Sequence, residues 1–428
     1  MTQLLEKVIA LSKRRGFIFP GSEIYGGLQN SWDYGPLGVE LKNNIKQLWW
    51  ERFVRRRDDI VGIDPAMIMN PKVWEASGHV KGFTDPLREC KKCHERWRAD
   101  QIGDSCLNCG SKDLSVARNF NLLFRTFLGP IEDSSAEVFL RGELAQAMFV
   151  DFVNVIKTSR VRVPFGIAAQ GQVFRNEITP GNFIFRTREF ELMEFEYFIR
   201  ENEWEKWFEY WRQEMHAWIG LLGIDSTHIH EHEISKEDRA HYSKRTIDFE
   251  YDYPFGRKEL YGLAYRADFD LKNHMTKSGE DMSYTDPETG DKFVPHVIEP
   301  SFGLSRSVLI TLLDNYREDG DRVYLKLPPR IAPYKAAVFP LLSNREELRK
   351  KARGLYTHLK SQFSVTWDDR GNIGKRYYSQ DEIGTPYCIT VDFETLEKDD
   401  VTIRFRDTAK QERMAVKDID VFLKNNIG

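Results

Sequence analysis

The chain has 428 residues, 41% of them apolar and 13% aromatic, with ten tryptophans and a formal net charge of −4. That apolar content excludes intrinsic disorder and suits about three domains of ordinary size. No apolar run approaches the ~20 residues of a membrane span, and the near-balanced charge excludes a bulk field for polyanions, so nucleic-acid contact would rest on local patches.

In chain order, residues 1–16 form an amphipathic helix with Leu4, Val8 and Leu11 on one face, unlike an export signal. With few thiols besides, the expected location is the cytoplasm. Residues 37–56 carry Leu41, Ile45, Leu48, Trp49 and Phe53 at helical spacing, and an extended stretch follows over 60–69. Residues 136–157 read as a helix. Strands dominate 163–200, a helix rich in Trp and Glu spans 204–222, and 225–295 alternates strands and loops, with 225–290 expected as an insertion. Residues 297–316 read as a strand feeding a helix that begins near Leu304. Leu327-Pro328-Pro329-Arg330 is the best linker. Beyond it, strands at 336–342, 364–368, 387–392, 401–406 and 413–416 alternate with helices at 344–362, 375–382 and 418–426, an α/β domain of about 100 residues. The expected division is a larger domain over 1–328 and a smaller one over 329–428.

Four of the five cysteines form a pattern. Cys90-x2-Cys93 and Cys106-x2-Cys109 are two knuckles whose thiolates can meet around tetrahedral zinc, within a small insertion over 87–112. Four sulfur ligands leave no open position, so the zinc would be structural. Two redox pairs are the plain alternative. Cys388, in the apolar run Tyr387-Cys388-Ile389, reads as a buried small hydrophobe.

The chemistry-bearing segment is a hairpin. Phe174-Arg175-Asn176-Glu177 ends one strand, Pro180-Gly181 breaks the chain, and Arg186-Thr187-Arg188-Glu189-Phe190 begins the return. Strand alternation would put Arg175 with Glu177 on one face, and likewise Arg186, Arg188, Phe190, Leu192 and Glu194. Such a face offers guanidiniums for phosphate, a ring for stacking and carboxylates for a cation. A solvated face with cross-strand ion pairs is the bland alternative. A second element runs from Glu299-Pro300-Ser301-Phe302 through Gly303-Leu304-Ser305 to Arg306, in the first turn of a helix. An arginine is poorly placed there for the dipole unless an anion sits nearby.

Together these strings resemble the class II aminoacyl-tRNA synthetases. Arg175-Asn176-Glu177 followed by Arg186-Thr187-Arg188-Glu189-Phe190 looks like their motif 2, Gly303-Leu304-Ser305-Arg306 like motif 3, and the 41–69 helix and strand like motif 1. Within that class the chain is most similar to the homodimeric glycyl-tRNA synthetases. That likeness is carried by Trp32-Asp33-Tyr34-Gly35-Pro36, Lys258-Glu259-Leu260, the stretch from Arg266 to Leu271, and Glu299-Pro300-Ser301.

The resemblance implies an α+β fold: an antiparallel-sheet catalytic domain with a zinc-ribbon insertion, then an α/β anticodon-binding domain. It implies a homodimeric ligase that makes glycyl-adenylate from glycine and ATP with Mg²⁺, then charges tRNA(Gly). Arg175 would hold the α-phosphate and Arg306 the outer phosphate. Glu177 would read adenine with Asn176 beside it, and Phe190 would stack on the base. Phe185, Arg186, Thr187, Arg188 and Glu189 would line the ATP site with Gly303, Leu304 and Ser305. Glu259 and Leu260 would also touch ATP. Glycine would meet Glu143, the run Phe190-Glu191-Leu192-Met193-Glu194, the run Glu299-Pro300-Ser301-Phe302-Gly303, and Arg98. A non-catalytic synthetase-like nucleic-acid binder and another class IIa synthetase are the alternatives. The presence of both arginines weighs against the first, and the Lys258 and Glu299 strings weigh against the second.

Overall fold

A computed structural model describes residues 3–240 and 242–427. A seven-stranded sheet organises the first 330 residues. Its strands are β1 (Ile60–Gly62), β2 (Phe165–Phe174), β3 (Glu189–Ile199), β4 (Ile229–Glu233), β5 (Arg245–Tyr253), β6 (Gly256–Ala267) and β7 (His296–Gly303). They lie in the order β4-β5-β6-β7-β3-β2-β1. Every neighbouring pair is antiparallel except β1 with β2.

Alternation along β3 divides the interior in two. Met193, Phe195 and Tyr197 point into the larger core, which is closed by α1 (Gln3–Arg15), α2 (Pro36–Trp50), α4 (Trp204–Leu221) and α6 (Leu304–Asp314). Phe53 and Phe302 meet there at 5.4 Å, and Phe195 and Trp211 at 4.6 Å. Each such ring contributes about 1.5–3 kcal/mol by burial. Leu192 and Phe198 point the other way, against Phe149 and Phe152 of α3 (Ala145–Val150) and the short helix Phe152–Ser159. Pro36 starts α2 at the position where its missing N–H costs nothing. Gly38 lets that helix touch the backbone just after α1, because a Cβ would stand 1.8 Å from the Phe17 carbonyl oxygen.

Several expectations are corrected. In α1 it is Leu5, not Leu4, that joins Val8 and Leu11 in the core. The helix expected over 136–157 begins only at Ala145. Glu137–Phe139 is a strand paired with Arg125–Phe127, and Arg141-Gly142-Glu143 is irregular. The β-branched Val138 beside Phe139 favours the pleat, and Gly142 weakens any helix there. The stretch 225–290 is no separate insertion, since it supplies β4, β5 and β6 to the sheet. It also holds a helix among the expected strands and loops, α5 (Phe269–Ser278). Only β1 is a strand within 60–69.

The CxxC pairs sit beside a three-stranded sheet formed by Thr84–Glu89, Arg96–Arg98 and Arg118–Asn121. The C-terminal unit has β8 (Ala336–Pro340), β9 (Val365–Trp367), β10 (Tyr387–Val391), β11 (Asp400–Phe405) and β12 (Gln411–Ala415), ordered β9-β8-β10-β11-β12. The helices Glu346–Lys360 and Ile419–Ile427 cover one face, and Ile373–Ile383 the other, over Cys388. The Pro-Pro segment is anchored rather than loose: Leu327, Ile331 and Ala332 belong to the first core, and the second begins at Ala336. Asp381 ties the two units, accepting from Arg322 at 2.7 Å and from both Nη atoms of Arg404 at 2.8 and 2.9 Å.

Candidate active site

A cleft of about 720 Å³ opens where the loop between β2 and β3 meets β6 and the β7–α6 junction. Arg175 is fixed there by donating from Nε to the Gly142 carbonyl at 3.1 Å, with its guanidinium 5.4 Å from the Phe190 ring centre. Its Nη atoms have no hydrogen-bond partner among the described residues. Arg306 stands across the cleft. It pairs with the Glu259 carboxylate at 3.1 Å, donates to the Glu259 carbonyl at 3.0 Å and lies over Phe185 at 4.6 Å. The Arg306 charge holds the Glu259 carboxyl below its ordinary range. Glu177 is buried and paired with Arg186 at 3.0 Å. The cleft therefore presents fixed cations at two ends of an aromatic-walled space, an arrangement suited to a nucleotide triphosphate.

Beside it lies an acidic slot. Glu194 accepts from Ser301 Oγ at 2.5 Å and from the Leu144 N–H at 3.1 Å. Glu143 is paired with His79 at 3.2 Å and accepts from Gln146 at 2.9 Å. Arg266, fully buried at the end of β6, donates to both oxygens of Asp270 at 2.8 and 2.9 Å and to Glu299 at 2.8 Å. Burial would raise the Glu143 carboxyl, yet the charges of His79 and Arg266 hold it well below the usual range. Burial pushes Glu194 up, and it pushes Glu299 up to about 8 against the pull of Arg266. Excess negative charge in a narrow buried space is the chemistry of an ammonium site.

The structure brings most of the expected residues together and separates the rest. Arg175, Glu177, Phe185, Arg186, Thr187, Phe190, Glu259, Leu260, Gly303, Ser305 and Arg306 line the cleft, with Leu192 and Ser301 from the expected glycine set. Arg175 to Arg188 do not lie on strands, so alternation governs only from Glu189 onward. It then places Phe190, Leu192 and Glu194 toward the site. Glu191 faces away, held by Lys42 and by Lys46 at 2.7 Å, and Met193 is in the larger core. By the same rule Glu299, Ser301 and Gly303 face the site while Pro300 and Phe302 do not, and Phe302 is core. Leu304 is also core. Asn176 bonds the Leu122 carbonyl through its backbone N–H, and Arg188 and Glu189 line a neighbouring groove. Arg98 is occupied by Asp85 and Asp100, each at 2.8 Å.

Arg266, Asp270, Gln146 and His79 were missed as site residues. The stretch from Arg266 to Leu271 carries the family likeness, and the four-residue spacing from Arg266 to Asp270 is a common ion-pair interval, but neither gives these side chains a role in the site.

The four sulfurs of Cys90, Cys93, Cys106 and Cys109 lie within 4.8 Å of one another, with Cys90–Cys109 and Cys93–Cys106 both at 3.6 Å. Tetrahedral zinc with bonds of about 2.3 Å sets sulfurs about 3.8 Å apart, so the donor set fits that ion.

Residues 131–316 match the tRNA synthetase class II core domain (G, H, P, S and T), and residues 335–426 match the anticodon binding domain. The chain is 49% identical over 457 residues to a glycine–tRNA ligase of Alkaliphilus oremlandii, covering 99% of this chain and 98% of that protein. Glycine–tRNA ligases of Caldanaerobacter subterraneus and Geobacillus thermodenitrificans are each 48% identical, covering 99% and 100% of this chain and 98% of each relative. The chain belongs to the glycine–tRNA ligase family. It is an aminoacyl-tRNA ligase with a class II catalytic core. In this glycine–tRNA ligase family member the matched core spans β2 through β7 and all of α6, the stretch that bears both arginines and most of the acidic slot. No helix among the described residues is long and apolar enough to cross a membrane.

Proposed function

We propose that the protein activates glycine with ATP to glycyl-adenylate and transfers the glycyl group to the 3′ end of tRNA(Gly). The observation that carries this reading is the junction of the two-arginine cleft with the acidic slot: Ser301 lines the first and bonds Glu194 in the second at 2.5 Å. Glycine's ammonium would sit by Glu194 and Ser301, placing its carboxylate toward Arg175. Attack of that carboxylate on the α-phosphate needs alignment and charge stabilisation, and no protein nucleophile. Arg175 would stabilise charge developing on the α-phosphoryl oxygens, and Arg306 would hold the outer phosphates. Glu259 is the carboxylate placed to hold Mg²⁺ at the phosphates, where the ion would neutralise charge. A slot walled by Glu143, Glu194 and Glu299 would admit the ammonium and exclude a side chain by clash. Excluding larger amino acids by clash makes editing unnecessary.

The Cys90–Cys109 cluster is read as a structural zinc site, and the C-terminal unit as the binder of the tRNA anticodon. A cytoplasmic homodimer fits the exposed apolar side chains Ile24, Tyr25, Leu28, Met67 and Ile68 on segments flanking α2. Pyrophosphate exchange across the standard amino acids tests the activity. Exchange with glycine alone is expected. Exchange with another amino acid, or with none, overturns the reading.

A further inference from the structure

The slot contains more acid than its single arginine answers. Glu143, Glu194, Glu196, Glu299 and Asp270 are all buried. Four of them have hydrogen-bond or charge partners, described above. Glu196 feels the Arg266 charge but has no hydrogen bond: its side chain is fully buried, and neither oxygen meets a donor among the described residues. It follows Glu194 by two residues on the same face of β3. The β3–β7 register, with Glu194 opposite Ser301 and Tyr197 opposite Ile298, sets it across from Glu299. Like charges directly opposed on antiparallel strands repel, and in a dry interior the two carboxyls cannot both ionise. Glu299 has Arg266 at 2.8 Å to support its charge. Arg266 thus offsets part of the burial cost of a charge on Glu299, and Glu196, with no hydrogen bond, is the member of the pair that holds its proton more tightly.

We propose that Glu196 is a positioning residue for the amino acid: it shares one proton with Glu299 beneath the slot, and that proton passes to solvent when the substrate's ammonium arrives. The inference rests on the reading of glycine as substrate. Within the slot the charge balances, because the ammonium end of the zwitterion enters as one proton leaves, while the carboxylate end is answered by Arg175. The groups facing the pair are Glu194 on β3, Arg266 on β6, Asp270 on α5, Glu143 before α3, and Tyr242, whose ring lies 3.7 Å from the Arg266 guanidinium. Burial and the Glu299 charge both push the Glu196 carboxyl well above the usual range. The pair titrates as a unit. With the proton in place the empty slot avoids a further buried charge. Once the proton has left, the slot carries the extra negative charge that an ammonium rewards. A ligand bearing a hydroxyl in place of the ammonium brings no cation and releases no proton.

The test is calorimetric titration of the full-length protein with glycine at pH 7, in buffers of different ionisation enthalpy. Release of about one proton is expected, with none on titration with glycolate. Glu196→Gln is expected to lose most of that release and to raise the glycine KM about tenfold with little change in kcat. Infrared difference spectroscopy of the unmodified protein adds a readout that survives a misfolded variant. Glycine should bleach the carbonyl stretch of a protonated carboxyl. No proton release from the unmodified protein, undiminished release from Glu196→Gln, or no bleached band overturns the assignment. Failure of glycine-dependent exchange would sink the substrate reading itself, whereas normal exchange without proton release sinks only the role of Glu196.

Discussion

Arg306 and Glu259 are paired in the wall of the cleft, with Nη1 3.1 Å from the Glu259 carboxylate and 3.0 Å from its carbonyl oxygen. The two contacts hold the guanidinium over Phe185 before any nucleotide binds. Such preorganisation spares ordering cost on binding. Glu259→Gln keeps the carbonyl contact but removes the charge that anchors Arg306. The expected result is an ATP KM raised about tenfold, a higher Mg²⁺ requirement and an unchanged glycine KM, read by pyrophosphate exchange. A rise confined to glycine would remove Glu259 from the nucleotide end.

Arg175 makes a different prediction. Its Nε is committed to Gly142, and its Nη atoms have no hydrogen-bond partner among the described residues. An unmatched fork aimed into a cleft suits charge that develops during reaction. Arg175→Ala should slow adenylate formation by several orders of magnitude, about 3–5 kcal/mol, on the scale of losing a preorganised oxyanion donor. Near-normal exchange would show that the chemistry does not pass by Arg175.

Glu194 joins the slot to the cleft through Ser301 at 2.5 Å. Removing its charge while keeping its shape, as Glu194→Gln does, should weaken ammonium binding and leave nucleotide binding intact. The glycine KM is expected to rise at least tenfold and the ATP KM less than twofold. Equal rises would place Glu194 in the general packing of the site.

How far the site was legible follows from these residues. Arg175 and Arg306 could be found because a turn and a helix start are local features, and a cation at either stands out. Phe190, Leu192 and Glu194 share a face by strand period, and the same period sends Glu191 and Met193 inward, so a contiguous run overstates that part of the site. Arg266 was not legible as a site residue, because its partners Asp270 and Glu299 acquire meaning only when β6, α5 and β7 pack together. Gln146 bonds Asp270 across 124 residues, which no window of sequence reaches. The fold fared likewise. The β7–α6 junction falls where a glycine ends an apolar strand, whereas residues 137–139 were misread because three pleated residues offer too short a period.

The cysteine-bearing segment touches the loop between β2 and β3 through Thr179, whose hydroxyl donates to Gln101 at 2.9 Å. If zinc holds the knuckle, metal analysis should find about one zinc per chain, and Cys93→Ser should lose it. Hydrogen exchange is expected to quicken over residues 84–121 and stay unchanged over 335–426. A variant with full metal content, or with uniform protection, would disprove a structural zinc at this position.

Asp248 supplies a prediction in pH. Burial, reinforced by the charges of Glu259 and Glu250, raises its carboxyl from 3.8 to about 7. Between those values the folded chain keeps a proton that the unfolded chain has released. Stability is therefore highest below about pH 4 for this group and declines as pH rises toward 7, where the buried carboxyl must ionise. Asp248→Asn removes the decline. Relative to the parent, the variant should be nearly unchanged in midpoint at pH 4 and more stable at pH 8 by about 1–2 kcal/mol, less than the full shift because the side chain is only partly buried. Denaturant midpoints at the two pH values measure this. Since Glu259 contributes to the shift, Glu259→Gln should shrink the difference, which ties the titration of β5 to the phosphate end of the cleft.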